Sequence, residues 1–145
     1  MTEDEALETA RRSAAIMLER DACTRALGID IAIPAAGQAT ATMTVRDDML
    51  NGFGVCHGGI VFTLADTAFA FACNAYDDET LSVSANIEWL AAVGGGDRLI
   101  ARAAEDVRSG RHGYYTVRVT RQGGELVALF HGHAVSRGKR LGGSA

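Results

Sequence analysis

One carboxylate lies where a charge is hard to bury: Asp66, inside the apolar run Leu64-Ala65-Asp66-Thr67-Ala68-Phe69. An ionised carboxylate is costly to bury unless it is paired, hydrogen-bonded or protonated. Partial burial also raises its pKa toward the range in which a general base works. Asp66 is therefore either a core aspartate satisfied by a neighbouring backbone group or a catalytic base. The segment ahead of it, Cys56-His57-Gly58-Gly59, favours the base. If a helix begins at Gly58 or Gly59, its first N–H groups lack partners within the helix and its positive dipole end faces outward. Two glycines let a carbonyl approach that backbone closely. An N–H aimed at an oxygen that gains negative charge during attack is an oxyanion hole. The other reading of the glycines is tight packing alone.

Spacing adds a constraint. Eight residues of helix separate Gly58 from Asp66 by ~12 Å, too far for both to serve one carbonyl. Two such helices lying antiparallel across a two-fold axis would set each Gly58 opposite Asp66 of the partner subunit, making two identical shared sites. An obligate dimer is the expected minimum. Other candidates are weaker. Cys56 adjoins His57, but adjacent side chains seldom point at each other, so a thiol nucleophile is disfavoured. His131 and His133 share a strand face at a spacing that suits a metal, yet no third ligand is evident, and no metal or other cofactor is expected. Arg108, Arg111 and His112 lie at a turn, where they either meet phosphates of a ligand or are simply solvated.

The elements that must hold these residues can be read from periodicity. Ala6 to Arg20 repeats apolar residues at helical spacing and predicts an amphipathic helix. Leu27 to Ile33 and Gln38 to Val45 read as strands, and Asp47 to Cys56 as a loop. The helix from His57 or Gly58 to about Tyr76 is apolar nearly all round, which predicts an enclosed element. Thr80 to Leu90, Arg98 to Val107, Gly113 to Arg121 and Leu126 to Val135 read as strands. Their links, Gly94-Gly95-Gly96, Ser109-Gly110 and Gly123-Gly124, predict an antiparallel meander. The fold class is α+β: a five- to six-stranded antiparallel sheet against one long central helix, with an N-terminal helix. There is no internal repeat and no phosphate-loop or dinucleotide fingerprint.

A chain of 145 residues with 48% hydrophobic and 22% charged residues fits one domain. Residues 1–137 are assigned to it, and residues 138–145, polar and glycine-rich, to a flexible tail. The acidic start, Met1 to Glu8, has no basic-then-apolar pattern of a signal peptide, so a cytoplasmic location is expected. The longest apolar stretch, Ile60 to Ala75, falls short of the roughly 20 residues of a membrane span. Three cysteines with no metal spacing suit a reducing compartment. The net charge of −4 is uneven: nine basic residues against four acidic from Asp97 on, five against fourteen before it. That asymmetry permits a basic surface for a phosphate-bearing ligand, or merely solvated faces of opposite sign.

Met49-Leu50-Asn51-Gly52, Cys56-His57-Gly58-Gly59 and Leu64 to Ala70, in that order and spacing, resemble the signature of the PaaI-type hotdog thioesterases of phenylacetate degradation. Asp21-Ala22-Cys23, Ala26 to Asp30 and Val127 to Gly132 extend the likeness over nearly the whole chain. The resemblance implies a hotdog fold, dimers and often tetramers, and an acyl- or aryl-acetyl-CoA substrate. Carried over residue by residue, it implies that Asp66 activates water, or less favourably attacks to form a transient anhydride. Gly58 would polarise the thioester carbonyl, with Gly59 as a second candidate. Asn51 would hold the water or the substrate. His57 would position the loop or the thioester sulfur, or only pack at the helix start. A hydroxyl on the strand after the helix, Ser82 or Ser84, would contribute across the dimer, and Arg108, Arg111 and His112 would meet the phosphates of coenzyme A.

Two rivals share the fold. A hydratase or dehydratase acts on the acyl chain with a histidine and a carboxylate; here His57 and Asp66 are nine residues apart, and the proline-containing loop of the acyl-carrier-protein dehydratases is missing. A non-catalytic acyl-CoA-binding module would have no use for Asp66, and no DNA-binding segment precedes the domain; neither nucleic acid nor membrane is an expected partner. Phe53, Phe62, Phe69, Phe71 and Trp89 are either lining for an aromatic acyl group or core.

Overall fold

The computed structural model describes residues 1–142. Helix α1, Glu3–Arg20, starts earlier than its apolar spacing indicates, because Thr2 and Glu5 close a reciprocal cap. A short helix α2, Ala22–Ala26, follows, capped by Asp21, whose carboxylate accepts from the Thr24 N–H at 3.0 Å. Gly28, at φ +67°, ends it in a left-handed conformation. Strand β1 is therefore only Asp30–Ala32, shorter than the expected Leu27 to Ile33. Strand β2 is Gln38–Thr44. After a loop come helix α3, Gly58–Cys73, and strands β3, Asp78–Trp89, β4, Arg98–Ser109, β5, His112–Arg121, and β6, Leu126–Arg140.

All neighbouring strands pair antiparallel in one six-stranded sheet of order β1-β2-β4-β5-β6-β3, which with α3 makes the expected hotdog architecture. The expected meander holds only for β4-β5-β6. Strand β3 does not pair with β4 through the glycine-rich link; it adds to the far side of β6. Its link to β4 crosses the ends of β6 and β5, tied down by Leu90 N–H to Val127 O at 2.8 Å and by Arg121 to Ala92 O at 3.1 Å. The expected tail at Gly138 is also displaced. Strand β6 runs on to Arg140, and the Gly142 N–H donates to Asp77 Oδ1 at 3.0 Å. Residues 143–145 of that tail lie outside the described residues.

Helix α3 buries Val61, Leu64, Ala65, Ala68, Phe69, Phe71, Ala72 and Cys73 against the sheet. It is not enclosed by its own chain as expected: Gly59, Thr63, Asp66 and Ala70, at i, i+4, i+7 and i+11, form a stripe that the sheet leaves exposed or half-buried. Phe69 packs on Tyr115 and Phe130 with ring centroids 5.5 and 5.7 Å apart. It also lies on the backbone of β6 at Gly132, where an added Cβ would come within 2.7 Å of the ring. At its C-terminus the Asn74 side chain bonds Ala70 O (2.9 Å), Thr80 O (3.1 Å) and Thr80 N–H (2.9 Å), fixing the helix end to β3. Gly132→Ala should destabilise the protein by about 1–3 kcal/mol, the usual cost of overpacking a core. Urea unfolding measures it, and an unchanged midpoint would mean that α3 shifts outward freely.

Candidate active site

The loop ahead of α3 is held by its own backbone. The Asn51 N–H donates to Val55 O at 2.8 Å, and Asn51 Oδ1 accepts from the N–H groups of Phe53 (2.9 Å) and Val55 (3.3 Å). His57 N–H donates to Met49 O at 2.8 Å and Cys56 N–H to Val93 O at 2.7 Å. His57 is then the N-cap of α3, its Nδ1 accepting from the Gly59 N–H at 3.4 Å. This bond separates the two glycines. Gly59 has its N–H engaged, whereas the Gly58 N–H has no hydrogen-bond partner among the described residues. Gly58 is thus the donor left for a ligand.

Asp66 is half-buried on the uncovered stripe of α3, and its carboxylate has no hydrogen-bond partner among the described residues. A core aspartate satisfied by its neighbours is not what is seen. The nearest helix hydroxyls are committed elsewhere, Thr63 Oγ1 to Gly59 O at 2.9 Å and Thr67 Oγ1 to Thr63 O at 2.7 Å. Burial pushes the Asp66 carboxyl above the ordinary carboxylate range. Helix α3 runs unbroken from Gly58 to Cys73, so Gly58 and Asp66 stay ~12 Å apart along its axis. One chain supplies both kinds of group but does not bring them together.

The buried thiols Cys56 and Cys73 are poor nucleophiles. Burial raises Cys56, whose Sγ lies 3.7 Å from His57 O. Burial pushes Cys73 up to about 12, with the Asp66 charge adding to the shift. The two serines of β3 part company at a bulge. Ser82 lies opposite Ala134, whose side chain is buried on the α3 side, and shares that face. Ser84 lies opposite His133 and lines a cavity on the other face with Asn86, Tyr114 and His131. The basic residues of the β4–β5 turn sit at the end of the sheet nearer the C-terminus of α3, away from Gly58. Arg111 is spent on Ser136 O through Nε at 2.9 Å and a terminal nitrogen at 2.6 Å. Arg108 lies over the Tyr76 ring, 3.8 Å from its centroid. His112 Nδ1 meets His133 Nε2 at 2.8 Å. Among the described residues no three His, Cys, Asp or Glu side chains are grouped to hold a metal ion, and no helix is long and apolar enough to cross a membrane.

Of the aromatics named as acyl lining or core, Trp89 lies beside the Gly58 end of α3, a contact the sequence did not indicate: its indole N–H donates to Gly58 O at 3.1 Å. Sequence reading missed Glu105, whose Oε1 accepts from the hydroxyls of Tyr76 (2.8 Å) and Tyr115 (2.9 Å) under the sheet. Both contacts join residues distant in sequence, so no local pattern announces them.

Residues 53–128, from the loop ahead of α3 into β6, match the family model of the thioesterase superfamily. The chain is 42% identical to the acyl-coenzyme A thioesterase PaaI of Escherichia coli (strain K12), over 92% of each protein. The chain belongs to the thioesterase superfamily. Its fold follows that of the E. coli PaaI protein from the phenylacetic acid degradation operon, with a TM-score of 0.90 and 40% identity over 92% of this chain and 97% of that one. A Streptococcus mutans UA159 protein solved bound to acetyl CoA matches with a TM-score of 0.74 and 26% identity, over 77% of this chain and 90% of that one. Thioester hydrolysis is therefore the chemistry of this member of the superfamily.

Asp66 also carries a consequence for stability. Its folded-state pKa is raised, so protonation favours the folded chain. That contribution is present below the unfolded pKa and is lost as pH rises through the raised one. At matched protein concentration, Asp66→Asn should unfold at an equal or higher denaturant midpoint than the wild type at about pH 8, the two converging toward about pH 4. A variant clearly less stable at the higher pH would reveal a partner for the carboxylate.

Proposed function

We propose that the protein hydrolyses aryl-acetyl-CoA, phenylacetyl-CoA or a hydroxylated relative, to the free acid and coenzyme A at two sites shared across a two-fold dimer. The observation that carries this reading is the pair of unpartnered groups on one helix, the Gly58 N–H and the Asp66 carboxylate, held too far apart to meet within a chain. In each site the Gly58 N–H receives the thioester carbonyl. Asp66 of the partner subunit takes a proton from water, which attacks the polarised carbon. The tetrahedral oxyanion gains charge against that N–H. Its collapse breaks the C–S bond, and the proton on Asp66 passes to the departing thiolate.

The supporting residues keep narrower roles. With Nδ1 accepting from Gly59, the neutral His57 ring carries its proton on Nε2, where it is free to donate to the thioester sulfur. Asn51 has Oδ1 committed to the loop and offers its side-chain NH2 to the water or the substrate. Ser82, on the α3 side of the bulge, is favoured over Ser84. Of the basic residues, Arg108 is carried forward for the CoA phosphates: it stacks on Tyr76 and sits 3.9 Å from Glu105 but stays partly exposed, whereas Arg111 is held by two hydrogen bonds to Ser136 O and His112 by His133.

Dimerisation is supported by β3, which among the described residues pairs only with β6 and leaves its other edge open beside exposed Leu81 and Val83. Two dimers then build a tetramer, as the family resemblance implies. The aryl-acetyl group is supported by the operon of the E. coli relative, and coenzyme A by the acetyl CoA of the streptococcal one. The reading places the enzyme in the cytoplasm, where its free thiols stay reduced.

Release of coenzyme A thiol from phenylacetyl-CoA should fall on the order of a hundredfold in kcat in Asp66→Asn with binding retained. If the wild type hydrolyses no member of an acyl-CoA panel, the hydratase and binding-module readings replace this one. Mixing inactive Asp66→Asn chains with inactive Gly58→Pro chains, which lack the amide donor at the first helical position, tests the shared site. Half of the randomly paired dimers would then hold one intact site of two, restoring about a quarter of wild-type activity. No recovery after verified subunit exchange would place each site within one chain.

A further inference from the structure

Two adjacent glycines at a helix start are poor at holding a peptide still, since glycine has the most conformational freedom to lose. An oxyanion donor has to be fixed in advance to be worth much. In this chain the fixing comes from the last residue of β3. The Trp89 indole N–H donates to Gly58 O at 3.1 Å, and ring atoms of the indole lie 3.2–3.4 Å from where a Cβ on Gly58 would stand. The indole thus grips the Gly58–Gly59 peptide through a hydrogen bond while its ring seats on the Gly58 Cα. Trp89 stays 54% exposed, so burial in its own core does not explain its position. It also walls a cavity of about 300 Å³ shared with Val55, Cys56, Gly58, Val61 and Val93. That volume is at the small end of ligand sites and suits one aryl group beside the free amide.

We propose that Trp89 is a positioning and size-selecting residue for thioester hydrolysis: its bond to Gly58 O and its ring against the Gly58 Cα hold that residue, and through the shared Cα the His57–Gly58 peptide that carries the donor N–H, while its ring closes the acyl cavity. This rests on the hydrolase reading above. The two functions separate by substitution. Trp89→Phe removes the N–H and trims the indole to one ring, leaving a smaller wall to the cavity. Trp89→Ala removes the N–H and the wall together.

The test compares kcat and KM of the wild type and the two variants on phenylacetyl-CoA and naphthylacetyl-CoA. Chain concentration is set so that all three show the same oligomeric state. Trp89→Phe should lose about fivefold in kcat, the effect of one neutral hydrogen bond, with KM changed less than about twofold. Trp89→Ala should lose more in kcat, and its naphthylacetyl to phenylacetyl ratio of kcat/KM should rise about tenfold while that of Trp89→Phe rises less. A Trp89→Phe enzyme with wild-type kcat overturns the proposal, as does a Trp89→Ala enzyme with an unchanged ratio. A wild type inactive on every thioester removes the hydrolase reading and this inference with it; an active wild type with insensitive variants removes the inference alone.

Discussion

The contact between Phe69 and Gly132 sets how α3 is seated. With no Cβ on Gly132, the Phe69 ring lies directly on the backbone of β6, flanked by Tyr115 and Phe130. This fixes both the depth of the helix in the sheet and its rotation about its own axis. Rotation matters because a helix advances 100° per residue. A turn of that size would carry Asp66 toward the sheet, where among the described residues the buried side chains facing α3 are apolar. In the observed seating the apolar face is desolvated and Asp66 stays half-buried at the rim, its pKa raised but its carboxylate still reachable.

That seating leaves two electrostatic demands open at once. The first turn of α3 presents an N–H and the positive end of the helix dipole, and Asp66 presents a negative group in mid-helix, beyond the reach of the dipole's favourable end. A single helix cannot let these groups meet, because they are fixed ~12 Å apart by its rise. In the proposed dimer an antiparallel partner helix would answer both, held at the open edge of β3. Assembly of the chains and of the site would then be one event, with activity set by chain concentration through mass action.

What sequence reading captured and what it lost divide along the range of the interactions. Asp66 and Gly58 could be singled out because their signals are local, a charge in an apolar run and glycines before it, whereas Asn51 came from the family resemblance. The strand order could not. Gly94-Gly95-Gly96 does make a tight turn, with the Asp97 N–H bonded to Gly94 O at 3.2 Å, but the strands it separates are not neighbours in the sheet. Ser82 and Ser84 should share a face by strand alternation, and the bulge between them cancels that parity. Arg111 looked free for a phosphate because its partner, Ser136 O, lies on another strand. The helix read as enclosed because small residues such as Gly59 and Ala70 make an uncovered face look like a buried one.

The two glycines at the helix start also turn out to be glycine for different reasons. On sequence alone both serve ligand access. In the structure a Cβ on Gly58 would press into the Trp89 indole at 3.2 Å, whereas one on Gly59 would meet only His57 Nδ1 at 3.6 Å, an ordinary contact. Residue 58 is therefore constrained from within the chain, by the strand that ends over it. Residue 59 is constrained by nothing in its own subunit, although it lies at the exposed top of the stripe that carries Asp66. A requirement for glycine there would come from the substrate or from the partner helix of the proposed dimer, both of which that reading brings against this exposed surface.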